Sequence, residues 1–167
     1  MKWKTAIITV SDSGAKGTRE DKSGPMIRRL LEEAGEYEII QETIVPDEQD
    51  KLEEILRACA DEKGADLILT TGGTGFSQRD RTPEATMNVA TRNAPGIAEA
   101  MRTLSLKVTP RAMLSRGASV LRNETLIVNL PGSPKAVKEC LEFILSSLPH
   151  GLAILKGLDG ECGGTAS

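Results

Sequence analysis

Short apolar runs of β-branched and aliphatic residues alternate along this chain with segments whose apolar residues recur at helical spacing. The runs at residues 5–10, 37–45 and 67–71 have the length and composition of strands. Parallel neighbours in a sheet need a crossover connection, which is usually a helix. The alternation therefore predicts an α/β fold in which helices cover both faces of a mostly parallel sheet.

Each segment between these runs carries one apolar stripe, as amphipathic helices do. Ile27, Leu30, Leu31 and Ala34 have the spacing of one helical face, and Gly35 stands where a left-handed residue would end the helix. Further helices are predicted near residues 52–59, 83–91 and 97–107, and along the stripe from residue 137 to residue 148.

Two short apolar runs at residues 118–121 and 125–129 are separated by three polar residues, which predicts a small β-hairpin. A chain of 167 residues is long enough for one core, so we expect residues 1–156 to form a single domain. Residues 157–167 contain several glycines and no apolar run. We expect this segment to be a mobile tail.

The charge and the aromatic content exclude several classes of function. The 21 Lys and Arg residues and 24 Asp and Glu residues give a net charge of −3, which provides no broad cationic surface for a nucleic acid. One Trp, one Tyr and two Phe residues are too few for a base-stacking platform. The three cysteines form no CxxC pair, which disfavours a zinc site and a disulfide framework. No signal peptide or membrane-length apolar run stands out, so we expect a cytoplasmic protein.

Polar residues follow the predicted strands at the point where each strand ends. Ser11 and Asp12 follow the first strand, Asp47 the second, residues 72–80 the third, and Pro131-Gly132-Ser133 the strand near residue 125. The carboxyl ends of parallel strands meet at one edge of a sheet, where open α/β folds bind ligands. We therefore expect these loops to line a single crevice.

Gly72, Gly73, Thr74 and Gly75 open the longest of these loops. Three glycines within four residues permit positive φ angles and let backbone N–H groups approach an anion. A tight turn without a ligand would use the same residues. No Gly-Lys-Ser/Thr follows and no helix opens directly behind the glycines, which disfavours the P-loop and Rossmann patterns. At the end of the loop, Thr82 and Pro83 predict the N-cap and first residue of a helix.

Asp47 and Asp80 are the candidate catalytic and metal-binding residues. A carboxylate repels a phosphate, so two carboxylates in one crevice favour a Mg²⁺ ion that bridges them to a nucleotide. Each has a simpler interpretation as well. Asp47 could be only a helix N-cap, and Asp80 could be a solvated charge between Arg79 and Arg81.

Two further segments are candidate anion sites. Ser133-Pro134-Lys135 resembles a helix N-terminus, whose free N–H groups attract anions, and Lys135 adds a positive charge. Ser115 and Arg116 offer a hydroxyl and a guanidinium that could hold a phosphate. Capping alone and an ordinary surface turn are the respective alternatives.

Five strings follow one another along the chain. They are Val10-Ser11-Asp12, Val45-Pro46-Asp47-Glu48, Thr70 to Gly75 with Arg79-Asp80 and Thr82-Pro83-Glu84, Leu114-Ser115-Arg116, and Asn129 to Pro134. In their order and composition they resemble the MogA/MoaB family of molybdenum cofactor proteins, which includes the G domain of gephyrin. The resemblance spans roughly residues 5–155.

This resemblance implies a three-layer α/β/α sandwich, typically a homotrimer, and a Mg²⁺-dependent adenylyltransferase. The reaction would join AMP from ATP to the terminal phosphate of molybdopterin and release pyrophosphate, before molybdenum insertion by an insertase of the MoeA type. By similarity, Asp47 and Asp80 match the acidic positions associated with Mg²⁺ and catalysis. The glycine loop, Ser115 and the Pro131-Gly132-Ser133 turn match the crevice for pterin and nucleotide.

Two other functions remain open from the sequence. A MoaB-like homologue would keep the fold and the crevice but have little or no transferase activity, and would serve as a pterin-binding or assembly protein. A generic phosphate-binding regulatory module would bind nucleotides without any dependence on molybdopterin.

Overall fold

The computed structural model describes residues 1–158, which form a six-stranded sheet with helices on both faces. The strands are β1 (Trp3–Val10), β2 (Tyr37–Val45), β3 (Leu67–Thr71), β4 (Arg92–Asn93), β5 (Ser119–Arg122) and β6 (Thr125–Leu130). The helices are α1 (Asp12–Ala15), α2 (Ser23–Ala34), α3 (Gln49–Arg57), α4 (Thr82–Val89), α5 (Gly96–Leu106), α6 (Pro134–Ile144) and α7 (Leu148–Leu155).

The strand order is β2-β1-β3-β6-β5-β4. β2, β1, β3 and β6 run parallel to one another, and β5 is antiparallel to both of its neighbours. The predicted α/β fold and the hairpin of β5 and β6 are confirmed. The carboxyl ends of the four parallel strands consequently lie at the same edge of the sheet.

Alternate residues of each buried strand face opposite sides of the sheet, which creates two apolar cores. Ile7 packs with α2 and α6 on one face, whereas its neighbour Ile8 packs with α3 and α4 on the other. Both side chains are fully buried. The sheet is therefore the middle layer of the expected three-layer sandwich.

Several local predictions are confirmed, and Gly35 does have the positive φ, 78°, of a left-handed C-cap. The stripe between residues 137 and 148 is divided between two helices. Pro149 has no backbone N–H group to donate within a continuous helix, so α6 does not extend through it. Pro149 lies instead in the first turn of α7, where that donor is not needed. The short helix α1, the strand β4 and a 3₁₀ helix at Pro110–Leu114 were not predicted, because each is too short to show a period.

The prediction that Thr82 is the N-cap of the following helix is wrong by one residue. Arg81 occupies the cap position and Thr82 is the first helical residue. The hydroxyl of Thr82 instead donates to the carbonyl oxygen of Gly72 at 3.0 Å. This contact attaches the start of α4 to the glycine loop.

Within residues 1–158 no helix is both long and apolar enough to cross a membrane. Residues 159–167, which make up most of the segment expected to be a mobile tail, lie outside the described residues.

Candidate functional site

The loops that follow β1, β3 and β6 touch one another at the carboxyl edge of the sheet. Gly72, with φ of 95°, lies so close to β1 that a Cβ atom there would collide with the carbonyl oxygen of Val10. A Cβ atom on Gly132 would be 3.6 Å from the Cα atom of Gly72. The hydroxyl of Thr71 donates to the carbonyl oxygen of Pro131 at 2.5 Å. The predicted convergence of these loops is therefore present.

The loop after β2 joins the same group through Asp47. The carboxylate oxygen Oδ2 of Asp47 accepts a hydrogen bond from the backbone N–H of Asp12 at 2.8 Å. In return, Oδ1 of Asp12 accepts from the backbone N–H of Asp47 at 3.0 Å. Glu48, not Asp47, is the N-cap residue of α3. The interpretation of Asp47 as a helix cap is therefore wrong, because its carboxylate is turned toward the loop after β1.

Gly73 brings the glycine loop against Asp47. Its φ is 69°, and the position of a Cβ atom there would be 3.3 Å from Oδ1 of Asp47. The same Cβ atom would collide with the hydroxyl oxygen of Thr82. Only glycine leaves this space, so the loop backbone can pass between Asp47 and the start of α4.

Asp80, at the end of the same loop, folds back against Gly75, which is two residues after Gly73. Its Oδ2 atom would be 2.9 Å from a Cβ atom on Gly75, and it accepts a hydrogen bond from the N–H of Ser77 at 2.9 Å. The N–H of Asp80 donates to the carbonyl oxygen of Ser77 at 3.0 Å. Asp47 and Asp80 thus lie against two glycines of one loop, Gly73 and Gly75, at the carboxyl edge of the sheet.

Arg79 neutralises the third carboxylate of the group. Its guanidinium forms a bidentate pair with Asp12, with Nε 2.9 Å from Oδ2 and Nη2 2.7 Å from Oδ1. This hydrogen bonding from Arg79 lowers the pKa of Asp12 below its ordinary value. Both side chains reach solvent, so the pair is also accessible to a ligand.

The electrostatic environment of Asp47 is different. Burial raises the pKa of its carboxyl group, and the negative charges of Asp12 and Asp80 raise it further. The hydrogen bond from Asp12 N–H and the charge of Arg79 oppose this shift only in part. A half-buried carboxylate beside two others creates a site of negative potential, and a bound cation would reduce the repulsion among the three carboxylates.

A cavity of ≈ 620 Å³ opens beside the glycine loop on the side of α2. Ser11, Gly72, Gly132 and Ser133 line it. Ser133 is the predicted N-cap of α6, and its hydroxyl accepts from the N–H of Ala136 at 3.2 Å. Lys135 is turned away, with 80% of its side chain exposed and its Nζ 4.0 Å from Glu139.

The same cavity is lined by polar and charged residues that the sequence did not single out. They are Thr9, Arg19, Glu20, Asp21, Lys22 and Ser23. Asp21 accepts from the hydroxyl of Thr9 at 2.7 Å and caps the start of α2. No local motif distinguishes these residues, and only the crossover from β1 to α2 brings them to the edge of the sheet.

Ser115 and Arg116 approach the glycine loop from its other side. The backbone N–H of Arg116 donates to the carbonyl oxygen of Thr74 at 2.8 Å. The Ser115 hydroxyl is 3.4 Å from the backbone N–H of Gly117, and Ser115 lines a second cavity of ≈ 230 Å³ together with Pro131. The guanidinium of Arg116 is directed into the loop, where its Nε donates to the carbonyl oxygen of Gly75.

A magnesium ion at these carboxylates would need further ligands from a substrate. Among residues 1–158, no group of three or more His, Cys, Asp and Glu side chains is arranged to hold a metal by itself. Mg²⁺ is usually bound by one or two carboxylates together with waters and substrate phosphates. Asp47 and Asp80 provide that kind of partial oxygen set.

The family described as "probable molybdopterin binding domain" matches residues 6–150, which include every loop of the crevice. The chain belongs to this family. A molybdopterin adenylyltransferase of Haemophilus influenzae is 43% identical over 93% of this chain and 85% of its own length. The molybdopterin adenylyltransferase of Escherichia coli K12 is 40% identical over 92% of this chain and 86% of its own length.

Solved structures agree with this membership of the molybdopterin-binding family. The crystal structure named as the molybdopterin biosynthesis enzyme MoaB of Thermus thermophilus is 49% identical, with a TM-score of 0.87, and the match covers 93% of this chain and 97% of that one. A structure named MogA is 38% identical with a TM-score of 0.85, and the match covers 91% of this chain and 99% of that one.

Proposed function

We propose that this protein is a molybdopterin adenylyltransferase. It transfers AMP from ATP to the terminal phosphate of molybdopterin and releases pyrophosphate. The observation that carries the proposal is that Asp47 and Asp80 both pack against the glycine loop at the carboxyl edge of the sheet. Relatives at 40–44% identity over most of the chain bear the name of this activity.

In this proposal Asp47 and Asp80 are the residues that hold Mg²⁺. When bound, the ion supplies positive charge to the phosphate oxygens that the reaction brings together. Asp47 is the stronger candidate because its surroundings favour a nearby cation, as the raised pKa of its carboxyl group indicates. Asp80 contributes the second carboxylate from within the glycine loop.

The crevice residues bind and orient the two substrates. Gly72, Gly73, Thr74 and Gly75 offer backbone N–H groups to phosphate oxygens. Gly132 and Ser133 bring the N-terminus of α6, with its partial positive charge, to the cavity beside that loop. Ser11 lines the same cavity, and Asp12 holds Asp47 in place through the exchanged hydrogen bonds.

Little acid or base chemistry is required of the protein. The attacking phosphate of molybdopterin is already an anion at neutral pH, so no side chain has to remove a proton from it. The barrier comes from bringing several negative oxygens together at the α-phosphorus of ATP. Positioning and charge neutralisation therefore lower most of it.

Incubation of the purified protein with molybdopterin, ATP and Mg²⁺ tests the proposal by the release of pyrophosphate. We expect one pyrophosphate per adenylylated molybdopterin and none without the pterin. Pyrophosphate release that does not depend on molybdopterin would contradict the assignment. Nucleotide binding that is the same with and without molybdopterin, together with no pyrophosphate release, would support the regulatory module instead. Omission of Mg²⁺ in the same assay tests the metal requirement.

A second candidate function is a MoaB-like protein that binds the pterin and has little transferase activity. The similarity to a structure named MoaB, at 49% identity, is compatible with either function, because both would keep the fold and the crevice. It predicts tight molybdopterin binding, measured by calorimetry, together with no pyrophosphate in the assay above. A homotrimer and a hand-over to a molybdenum insertase are parts of the proposal, which sedimentation and a pull-down with the insertase would test.

A further inference from the structure

Arg116 occupies an unusual place at the crevice, because its guanidinium is used by the glycine loop itself. Nε donates to the carbonyl oxygen of Gly75 at 2.8 Å, and Nη2 donates to the carbonyl oxygen of Asp80 at 2.7 Å. Nη1 donates to the carboxylate of Glu84 on the first turn of α4. All three nitrogens of the side chain thus contact the segment between Gly75 and Glu84.

These contacts hold both ends of the turn that carries Asp80. Gly75 lies at the beginning of the turn, and Asp80 lies at its end. The carboxylate of Asp80 packs over Gly75 and accepts from Ser77 N–H, so its position depends on the shape of this turn. Ser77 is exposed. Arg116 ties both ends of the turn to α4 and to the segment before β5, while Arg79 within the turn pairs with Asp12.

The Arg116–Glu84 pair has the features of a fixed structural contact. The side chains are each only 32% exposed, so solvent screens the pair less than it screens a surface pair. Burial alone would raise the pKa of Glu84, but the hydrogen bond from Arg116, a backbone hydrogen bond and the charges of Arg116 and Arg81 together lower the pKa. Glu84 is therefore held as the anion that Arg116 requires. Because α4 is anchored by its buried residues, Glu84 gives Arg116 a fixed partner.

We infer that Arg116 is a positioning residue for Asp80, and not a phosphate ligand as its sequence position suggested. It acts through two hydrogen bonds to the carbonyl oxygens at the ends of the Gly75-to-Asp80 turn and through a third to Glu84 on α4. Lysine keeps the charge but has a single nitrogen on a flexible stem, so it cannot reproduce a planar contact with three separate acceptors. This inference rests on the proposed function for its kinetic consequence, although the structural part stands independently.

The test compares Arg116→Lys with Arg122→Lys. Arg122 is a matched control because it also pairs with a carboxylate, Asp61, and donates to a carbonyl oxygen, that of Val89. It lies at the β5–β6 hairpin, at the opposite end of the strands from the glycine loop. We expect Arg116→Lys to lower kcat by about 10-fold to 100-fold with little change in either KM, because misplacement of a reacting group slows the step. Arg122→Lys should keep the wild-type kcat.

A double-mutant cycle with Asp80→Asn separates positioning from binding. If Arg116 acts through Asp80, Arg116→Lys should cause almost no further decrease in kcat in a protein that already carries Asp80→Asn. A full additional loss in that background would overturn the inference. A raised KM for ATP or molybdopterin with an unchanged kcat would also overturn it, since that result is expected of a direct substrate ligand.

Backbone ¹⁵N order parameters for Ser77 and Asp80 provide a measurement that needs no enzymatic activity. We expect values near ~0.85 in the wild type and in Arg122→Lys, and a fall toward ~0.6 in Arg116→Lys. Unchanged order parameters in Arg116→Lys would contradict the role of Arg116 whatever the kinetics show. If the wild type releases no pyrophosphate, the proposed function fails, and the order parameters still decide whether Arg116 fixes the turn.

Discussion

Asp12 and Asp47, 35 residues apart in sequence, each accept a hydrogen bond from the backbone N–H of the other. This exchange locks the loop after β1 to the loop after β2 at the edge where the glycine loop arrives. It leaves Oδ1 of Asp47 facing Gly73. Two carboxylates that would repel each other are thereby held together, and the charge of Arg79 offsets part of the repulsion.

Asp80→Asn should lower adenylylation by about 10²-fold or more without unfolding the protein, by analogy with the loss of one electrostatic stabiliser. The amide retains an oxygen that can accept from Ser77 N–H but loses the negative charge. Initial rates of pyrophosphate release give the measurement. Glu62→Gln, an exposed carboxylate-to-amide change on the π-helical turn after α3, is the control and should be fully active. Normal turnover of Asp80→Asn would remove Asp80 from the mechanism.

Asp47→Asn should abolish most activity but raise the thermal stability at pH 7. The pKa of Asp47 is raised in the folded protein, so its ionised form is disfavoured there relative to the unfolded chain. The negative charge of Asp47 therefore destabilises the fold at pH values above the pKa that Asp47 has in the folded protein. This effect vanishes at pH values below the pKa that Asp47 has in the unfolded chain. The gain in Tm should therefore be larger at pH 7 than at pH 3. An equal gain at both pH values would show that ionisation is not its cause.

Arg79→Gln should raise the pKa of Asp12, because the hydrogen bond from Arg79 is the largest cause of its low value. A carboxyl group with a lowered pKa stabilises the fold above its unfolded pKa, and this contribution disappears as the pH falls through its folded pKa. The variant should thus be less stable to unfolding than the wild type at neutral pH, and the stabilities of the two proteins should converge in acid. Titration of the carboxyl carbon by NMR measures the shift directly. Arg29→Gln, which removes an exposed ion pair with Glu33 on α2, should leave Asp12 unchanged.

Gly72→Ala should destabilise the protein by about 3 kcal/mol, measured by denaturant unfolding. A left-handed backbone costs an alanine about 1–2 kcal/mol, and the collision with the Val10 carbonyl adds a steric cost of similar size. Gly35→Ala is the matched control. The φ of Gly35 is also positive, at 78°, but a Cβ atom added there meets nothing within 4 Å. The Gly35→Ala substitution should therefore lower the free energy of unfolding by only about 1 kcal/mol. Equal losses would show that the close approach to β1 is unimportant.

The architecture could be predicted from the sequence because its signals are local. The buried residues of β1 and β3 lie in short aliphatic runs, and the stripe of α2 repeats at helical spacing. The side chain of Ser133 caps α6, and this cap could be predicted because Pro134, a favoured first helical residue, follows it directly. Thr82 was assigned to the wrong side of the helix boundary because its hydroxyl bonds to Gly72 and not to its own helix.

The chain order alone determined that acidic and glycine residues follow the strands, and hence that they would gather at one edge of a parallel sheet. Only the tertiary structure decided what each side chain does there. It turned Asp47 toward Asp12, paired Arg79 with Asp12, and committed Arg116 to the glycine loop. The reason is physical: a strand or a helix is selected by residues a few positions apart, whereas the partner of a charged side chain is selected by the packing of segments that are distant in sequence.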